Sequence, residues 1–140
     1  MPSLGVPTKT RSKLVGELSA AEYRACHRLN QRHWGAMQRK LVRMRHAHPA
    51  ESWVVMIEER DTRRLLAWAL IFPDRRSGRD GVHFYVRKRY RRHGLGRRLV
   101  KAVCRHSELP KVFAWDKQSA GFFSAVSRSN ALDIDYSVSR

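Results

Sequence analysis

Apolar and polar positions first alternate from Lys13 to Leu18 (KLVGEL), a period of two that predicts a short opening strand. Ser19-x-x-Glu22 follows, the pattern of a capping box. The serine hydroxyl takes a backbone N–H at the helix start, and the glutamate reaches back to the cap. A helix is therefore expected to run to about His33, with Gly35 breaking or bending it. Trp34, Met37, Leu41 and Met44 recur at helical spacing, which predicts a second helix to about His46, closed by Pro49. Trp53 to Ile57 (WVVMI) and Leu65 to Phe72 (LLAWALIF) are unbroken apolar runs, as strands covered on both faces require. The polar Glu58 to Arg63 between them predicts an antiparallel hairpin. Pro73 to Asp80 is a charged loop, and Val82 to Val86 (VHFYV) a third strand of this group. Leu95, Leu99, Ala102, Val103 and His106 share one face, so Arg97 to His106 reads as an amphipathic helix, ended by Glu108-Leu-Pro110. A strand over Lys111 to Trp115, a short helix over Ser119 to Val126 and a last strand over Leu132 to Val138 complete the chain. The order β-α-α-β-β-β-α-β-α-β implies an α/β (α+β) fold, a mixed sheet with helices on its faces.

Composition narrows this. The 140 residues suit a single domain, expected to span residues 1–140 with a flexible stretch over 1–12. The apolar share of 42% is enough for a core, and no apolar run approaches the ~20 residues a membrane helix needs. Met1 to Lys13 has no apolar signal region, so no membrane partner and a cytoplasmic location are expected. Cys26 and Cys104 stand far apart, outside any C-x-x-C, and frame neither a zinc site nor a disulfide. His46-x-His48 lacks a supporting carboxylate or cysteine cluster, so no metal is expected. Trp34, Trp53, Trp68 and Trp115 fall in apolar patterns and read as core.

The formal net charge is +17, unevenly placed. Tyr23 to Ala50 holds seven Lys or Arg and no acid, and Gly81 to Ser107 holds nine and again none. Arginine outnumbers lysine 22 to 7, a bias toward the planar fork that grips phosphate and carboxylate. Such a field points to an anionic partner. The first stretch could be a plain solvated helical face, but such faces normally interleave acids for i,i+4 pairs.

The chemistry lies in Arg91-Arg92-His93-Gly94-Leu95-Gly96, between a strand and a helix. Two glycines let the backbone turn tightly and an anion approach, and the free N–H groups of the helix start point at it. No Gly-Lys-Ser/Thr follows and the third glycine of a dinucleotide fingerprint is missing, so this is a different phosphate cradle.

R-x-x-G-x-G in this context resembles the acetyl-CoA signature of the GNAT (Gcn5-related) N-acetyltransferases. The similarity in element order extends from about Lys13 to Val126, and Trp115 to Val126 looks like the family's fifth strand and following helix. The resemblance implies a mostly antiparallel sheet with about four helices and acetyl-CoA as co-substrate. It implies a cofactor site of Tyr85, Val86, Arg91, Arg92, His93, Gly94, Leu95, Gly96, Arg97 and Phe123. In it, loop amides hold the CoA pyrophosphate, and a backbone N–H near Tyr85 or Val86 polarises the thioester carbonyl. Two departures stand out. The tyrosine that often protonates the leaving thiolate falls on Phe123 or Ser124, and neither is a competent acid. After the last helix only Ser127 to Arg140 remain, so the C-terminal end looks truncated. The acceptor site is then open or completed by a second subunit, which brings in a homodimer.

Acetyl transfer to an amine needs a base and an acid. His83, with an ordinary pKa near ~6.5, is the candidate base, Glu58 and Glu59 its competitors, and Tyr136 the candidate acid. CoA accounts for the charge around the cradle, and the first basic stretch then calls for a large anionic acceptor, an acidic protein or an RNA such as aminoacyl-tRNA. The alternative is a protein of this fold that binds nucleic acid or an acidic protein with weak or no catalysis. A basic helix–turn–helix suits the downstream strands poorly.

Overall fold

The two unbroken apolar runs form the middle of a six-stranded sheet. In the computed structural model, which describes residues 5–29 and 35–136, the elements are β1 (Thr8–Leu14), α1 (Ala20–Arg28), α2 (Ala36–Ala47), β2 (Trp53–Glu59), β3 (Leu65–Asp74), β4 (Arg79–Val86), α3 (Leu95–His106), β5 (Lys111–Phe113), α4 (Lys117–Val126) and β6 (Asp133–Asp135). Sheet order follows chain order; β1 to β4 pair antiparallel, and β5 pairs parallel with both β4 and β6.

The period of two is still present inside the apolar runs. Val55, Ile57, Ala69, Ile71 and Val82 face Leu99 and Val103 of α3 and Phe123 of α4. Val54, Met56, Trp68, Leu70 and Phe72 face Leu41 and Met44 of α2 and Cys26 of α1. Both faces are dry, so every position is apolar. Trp68 adds a polar tie: its Nε1–H donates to the carbonyl of Leu29 at the end of α1. Trp68→Phe keeps most of the ring and removes this bond to a buried carbonyl. It should cost about 1–2 kcal/mol in urea unfolding.

Several boundaries move. Residues 8–12, expected to be flexible, are in β1 and pair with β2 from Thr8↔Glu59 onward. Their polar side chains hide a strand because β1 is an edge with one neighbour. The expected strand over Lys13 to Leu18 gives way to a 3-10 turn at Val15–Glu17. The capping box forms, with Glu22 N–H donating to Ser19 Oγ (3.1 Å) and Ser19 N–H to Glu22 Oε1 (2.8 Å). Helix α1 is assigned to Arg28; its expected extension to His33, and Trp34, lie outside the described residues. Gly35, at φ 57°, caps α2. Helix α3 opens at Leu95, two residues before the expected Arg97. Strand β5 stops at Phe113, and β6 spans three residues, so Tyr136 lies just past it. Residues 137–140 lie outside the described residues.

Arg11 binds β1 to its neighbours. Its Nε donates to Glu58 Oε1 and an Nη to Glu22 Oε2, both at 2.6 Å, while Lys13 Nζ reaches Glu22 Oε1 at 2.8 Å. Glu58, a competitor for the base, is thus a structural anion beneath β1, and Glu59 accepts a hydrogen bond from Thr62. Arg98 ties α3 to the same strand through Thr8 and Thr10.

Candidate active site

Strand β4 pairs with β5 only at Gly81↔Lys111 and Val82↔Val112. Beyond that point β5 follows β6, with Phe113↔Asp135 in register and Ala114 N–H donating to Asp135 O at 3.0 Å. Strand β4 stays on β3 as far as Val86. A gap therefore opens between β4 and β5. Ladder parity decides what faces it. Arg87 N–H donates to Leu66 O at 2.9 Å, so Arg87, Tyr85 and His83 turn their backbone groups to β3. Val86 turns its own toward the gap. Between the two backbone positions expected from sequence, the geometry selects Val86.

The chain then makes a 3-10 turn at Lys88–Tyr90 and enters α3 through Arg92 at φ 66° and Gly94 at φ 83°. Arg98 N–H makes the first bond into the helix, to Gly94 O at 3.1 Å. The N–H groups of Leu95, Gly96 and Arg97 precede it, and among the described residues no backbone acceptor meets them. They form a local anion site with the positive end of the helix dipole behind it. A Cβ on Gly96 would stand 2.9 Å from the Phe122 ring, so this glycine lets α3 close on α4. Arg91 supports the loop from beneath, with Nε on Val86 O at 3.0 Å and its guanidinium 5.8 Å from the Tyr85 ring centre. His93 Nδ1 is buried, with no hydrogen-bond partner among the described residues.

These parts line a cavity of about 750 Å³. It brings together Tyr85, Val86, Arg91, Arg92, Gly94, Leu95, Gly96, Arg97 and Phe123, every expected cofactor residue except His93. Phe123, buried, occupies the α4 position facing the cavity, while Ser124 is exposed and bonds Tyr136 Oη at 2.8 Å. Tyr136 is 49% exposed and does not line the cavity. His83 does, in a setting that sequence did not disclose. Its ring stacks among Phe72, Phe113 and Trp115 at 5.3, 5.2 and 5.9 Å. Burial, helped by the Lys40 charge, lowers its pKa to about 4. It is neutral near pH 7 and a much weaker base than a solvated histidine.

Sequence reasoning missed Trp115, Asp116, Gln118, Ser119 and Phe122 as lining residues. A signal for two of them existed. Asp116-x-x-Ser119 is a second capping box, with Ser119 N–H on Asp116 Oδ1 at 2.7 Å and Asp116 N–H on Ser119 Oγ at 3.0 Å, and it starts α4 at the cavity. Neither thiol is activated: burial pushes Cys26 up to about 12 and also raises Cys104. Among the described residues no group of three or more His, Cys, Asp or Glu could hold a metal, and no helix is long and apolar enough to cross a membrane.

A comparison with curated proteins finds no match. The family description "Acetyltransferase (GNAT) family" matches residues 14–125, most of the chain and all of the gap and cradle. A mixed sheet splayed beside a glycine-opened helix is the frame such a family needs, and the chain belongs to the GNAT acetyltransferase family.

Proposed function

We propose that the protein transfers an acetyl group from acetyl-CoA to an amine on a large anionic acceptor, a protein or an aminoacyl-tRNA. The observation that carries this reading is the opening of α3: a left-handed glycine and three N–H groups without a backbone acceptor among the described residues, at the mouth of a cavity that runs along the free edge of β4. The residues fit CoA. The N–H groups of Leu95 to Arg97 suit its pyrophosphate, Arg92 and Arg97 add positive charge, and the orphaned His93 Nδ1 lies in the same loop. Bound there, acetyl-CoA supplies an activated thioester. Val86 N–H is the donor turned toward its carbonyl. Phe123 offers no proton and Tyr136 stands outside the cavity, so the leaving thiolate takes its proton from water or from the acceptor nitrogen, which becomes cationic when the neutral amine attacks. His83 is a weak base, so the acceptor has to enter as a neutral amine.

The anionic acceptor rests on α1 and α2. Arg24, Arg28, Arg39, Arg43 and Arg45 are exposed there, with Arg45 lying over the Tyr23 ring at 4.1 Å. Intact-mass analysis of acidic proteins and aminoacyl-tRNA after incubation with acetyl-CoA tests the reading, and an increment of one acetyl group is expected. The absence of a phenol at Phe123 favours the second reading, a binding protein with little catalysis. That reading predicts salt-sensitive RNA retention with no mass increment on any acceptor.

A further inference from the structure

Resting on the acetyl-transfer reading, we propose that the acceptor end of the cavity selects amines carried beside a flat aromatic group, which seats against His83, Phe113 and Trp115. The two sides of the β4–β5 gap differ. Strand parity sends Val82, Phe84 and Val86 to the α3–α4 face, where the cradle lies. It sends Tyr85 to the α1–α2 face, together with Phe113. His83 shares the parity of Tyr85, and Trp115 that of Phe113. The cavity is lined by both sets, so it passes through the gap from one face to the other. The cradle side serves an anion. The far side presents rings.

Those rings form an ordered stack. His83 lies 21° from the plane of Phe113 and 15° from that of Trp115, and Phe72 backs it at 22°. Phe72 is held in turn by Gly81, where a Cβ would stand 2.6 Å from its ring. The histidine is buried and, at neutral pH, uncharged, so it acts as one more flat wall. Two cations lie against these rings: Lys40 Nζ is 4.6 Å from the Phe72 ring centre, and Lys111 Nζ is 5.7 Å from that of Phe113. The carboxylate in the lining, Asp116, caps α4. A second ammonium on the acceptor would meet repulsion from Lys40, whereas a neutral ring gains stacking area. Phosphate recognition by the cradle does not require a stack of this kind, which leaves it for the other substrate.

The test is a matched series of amines, phenylalaninamide, tryptophanamide, leucinamide and alaninamide. Each is assayed with acetyl-CoA for CoA release and, separately, by calorimetry for binding to the CoA-saturated protein. The aromatic amides should exceed leucinamide by about ten-fold in kcat/KM and in affinity. Trp115→Leu should bring that ratio close to one, and Phe113→Leu serves if the first variant does not fold. Equal acetylation of aromatic and aliphatic amides would overturn the aromatic seat while leaving acetyl transfer standing. Aromatic-selective binding without CoA release from any amine would support the seat and count against acetyl transfer. Equal binding with no turnover would overturn both.

Discussion

Acetyl-CoA should raise the melting temperature of the native protein, and replacing Gly94 with Glu should abolish that rise. Gly94 stands at φ 83° as the residue before α3, a conformation that costs a side-chain-bearing residue about 1–2 kcal/mol. Its neighbours Leu95, Gly96 and Arg97 supply the N–H groups of the anion site. A glutamate carboxylate at this point satisfies the helix dipole itself and repels the CoA phosphates. Gly94→Ala separates the two effects. It carries the backbone strain without the charge, so it should lower stability by about 1 kcal/mol and keep a reduced ligand shift. Scanning calorimetry with and without acetyl-CoA reads both variants. A full shift retained in Gly94→Glu would mean that CoA does not use this loop.

Arg11→Ala should destabilise the fold by about 3 kcal/mol at pH 7, because it leaves Glu58 buried without its principal partner. The effect should depend on pH in a fixed direction. Burial opposes ionisation of Glu22, but hydrogen bonds from Lys13, from the Ser19 N–H and from Arg11 outweigh it and hold the carboxyl at about 2, against 4.5 when free. A carboxyl whose folded pKa is depressed stabilises the native state above its free value. That stabilisation is lost as pH falls through the folded value. The gap between wild type and Arg11→Ala should therefore be full above pH 4.5 and shrink toward pH 2. Urea unfolding at pH 7 and pH 3 measures it. A difference of equal size at both would show that Arg11 acts through packing of its stem and not through the carboxylates.

The fold was largely legible in the chain. Unbroken apolar runs marked β2 and β3, one capping box marked α1, and the face shared by Leu95, Leu99 and Val103 marked α3. The errors fall where a local signal is weak. Strand β1 is an edge whose Thr8, Thr10 and Arg11 carry no alternation, and it is fixed by a ladder to a distant segment, from Thr8↔Glu59 to Leu14↔Trp53. The glycine turn into α3 was legible because a glycine at positive φ and the start of a helix are local events. The setting of the candidate base was not, because it is made by neighbours distant in sequence. His83 carries an ordinary imidazole in the sequence, and only its burial in the folded protein, helped by the Lys40 charge, lowers its pKa.

The chain by itself determined the element order, the two-faced burial of the central strands, the glycine turn into α3 and the concentration of arginine. These depend on periodicity, on backbone freedom at single residues and on charge count, all of which are local or additive. The tertiary structure alone decided that β5 leaves β4 after Val112, that Val86 faces the resulting gap, that Tyr136 stands outside it and that a stack of rings lines its far side. Those facts come from strand partners and ring contacts between separate segments. No short window of sequence records which of its apolar faces will meet another, and packing settles that choice only when the whole sheet has formed.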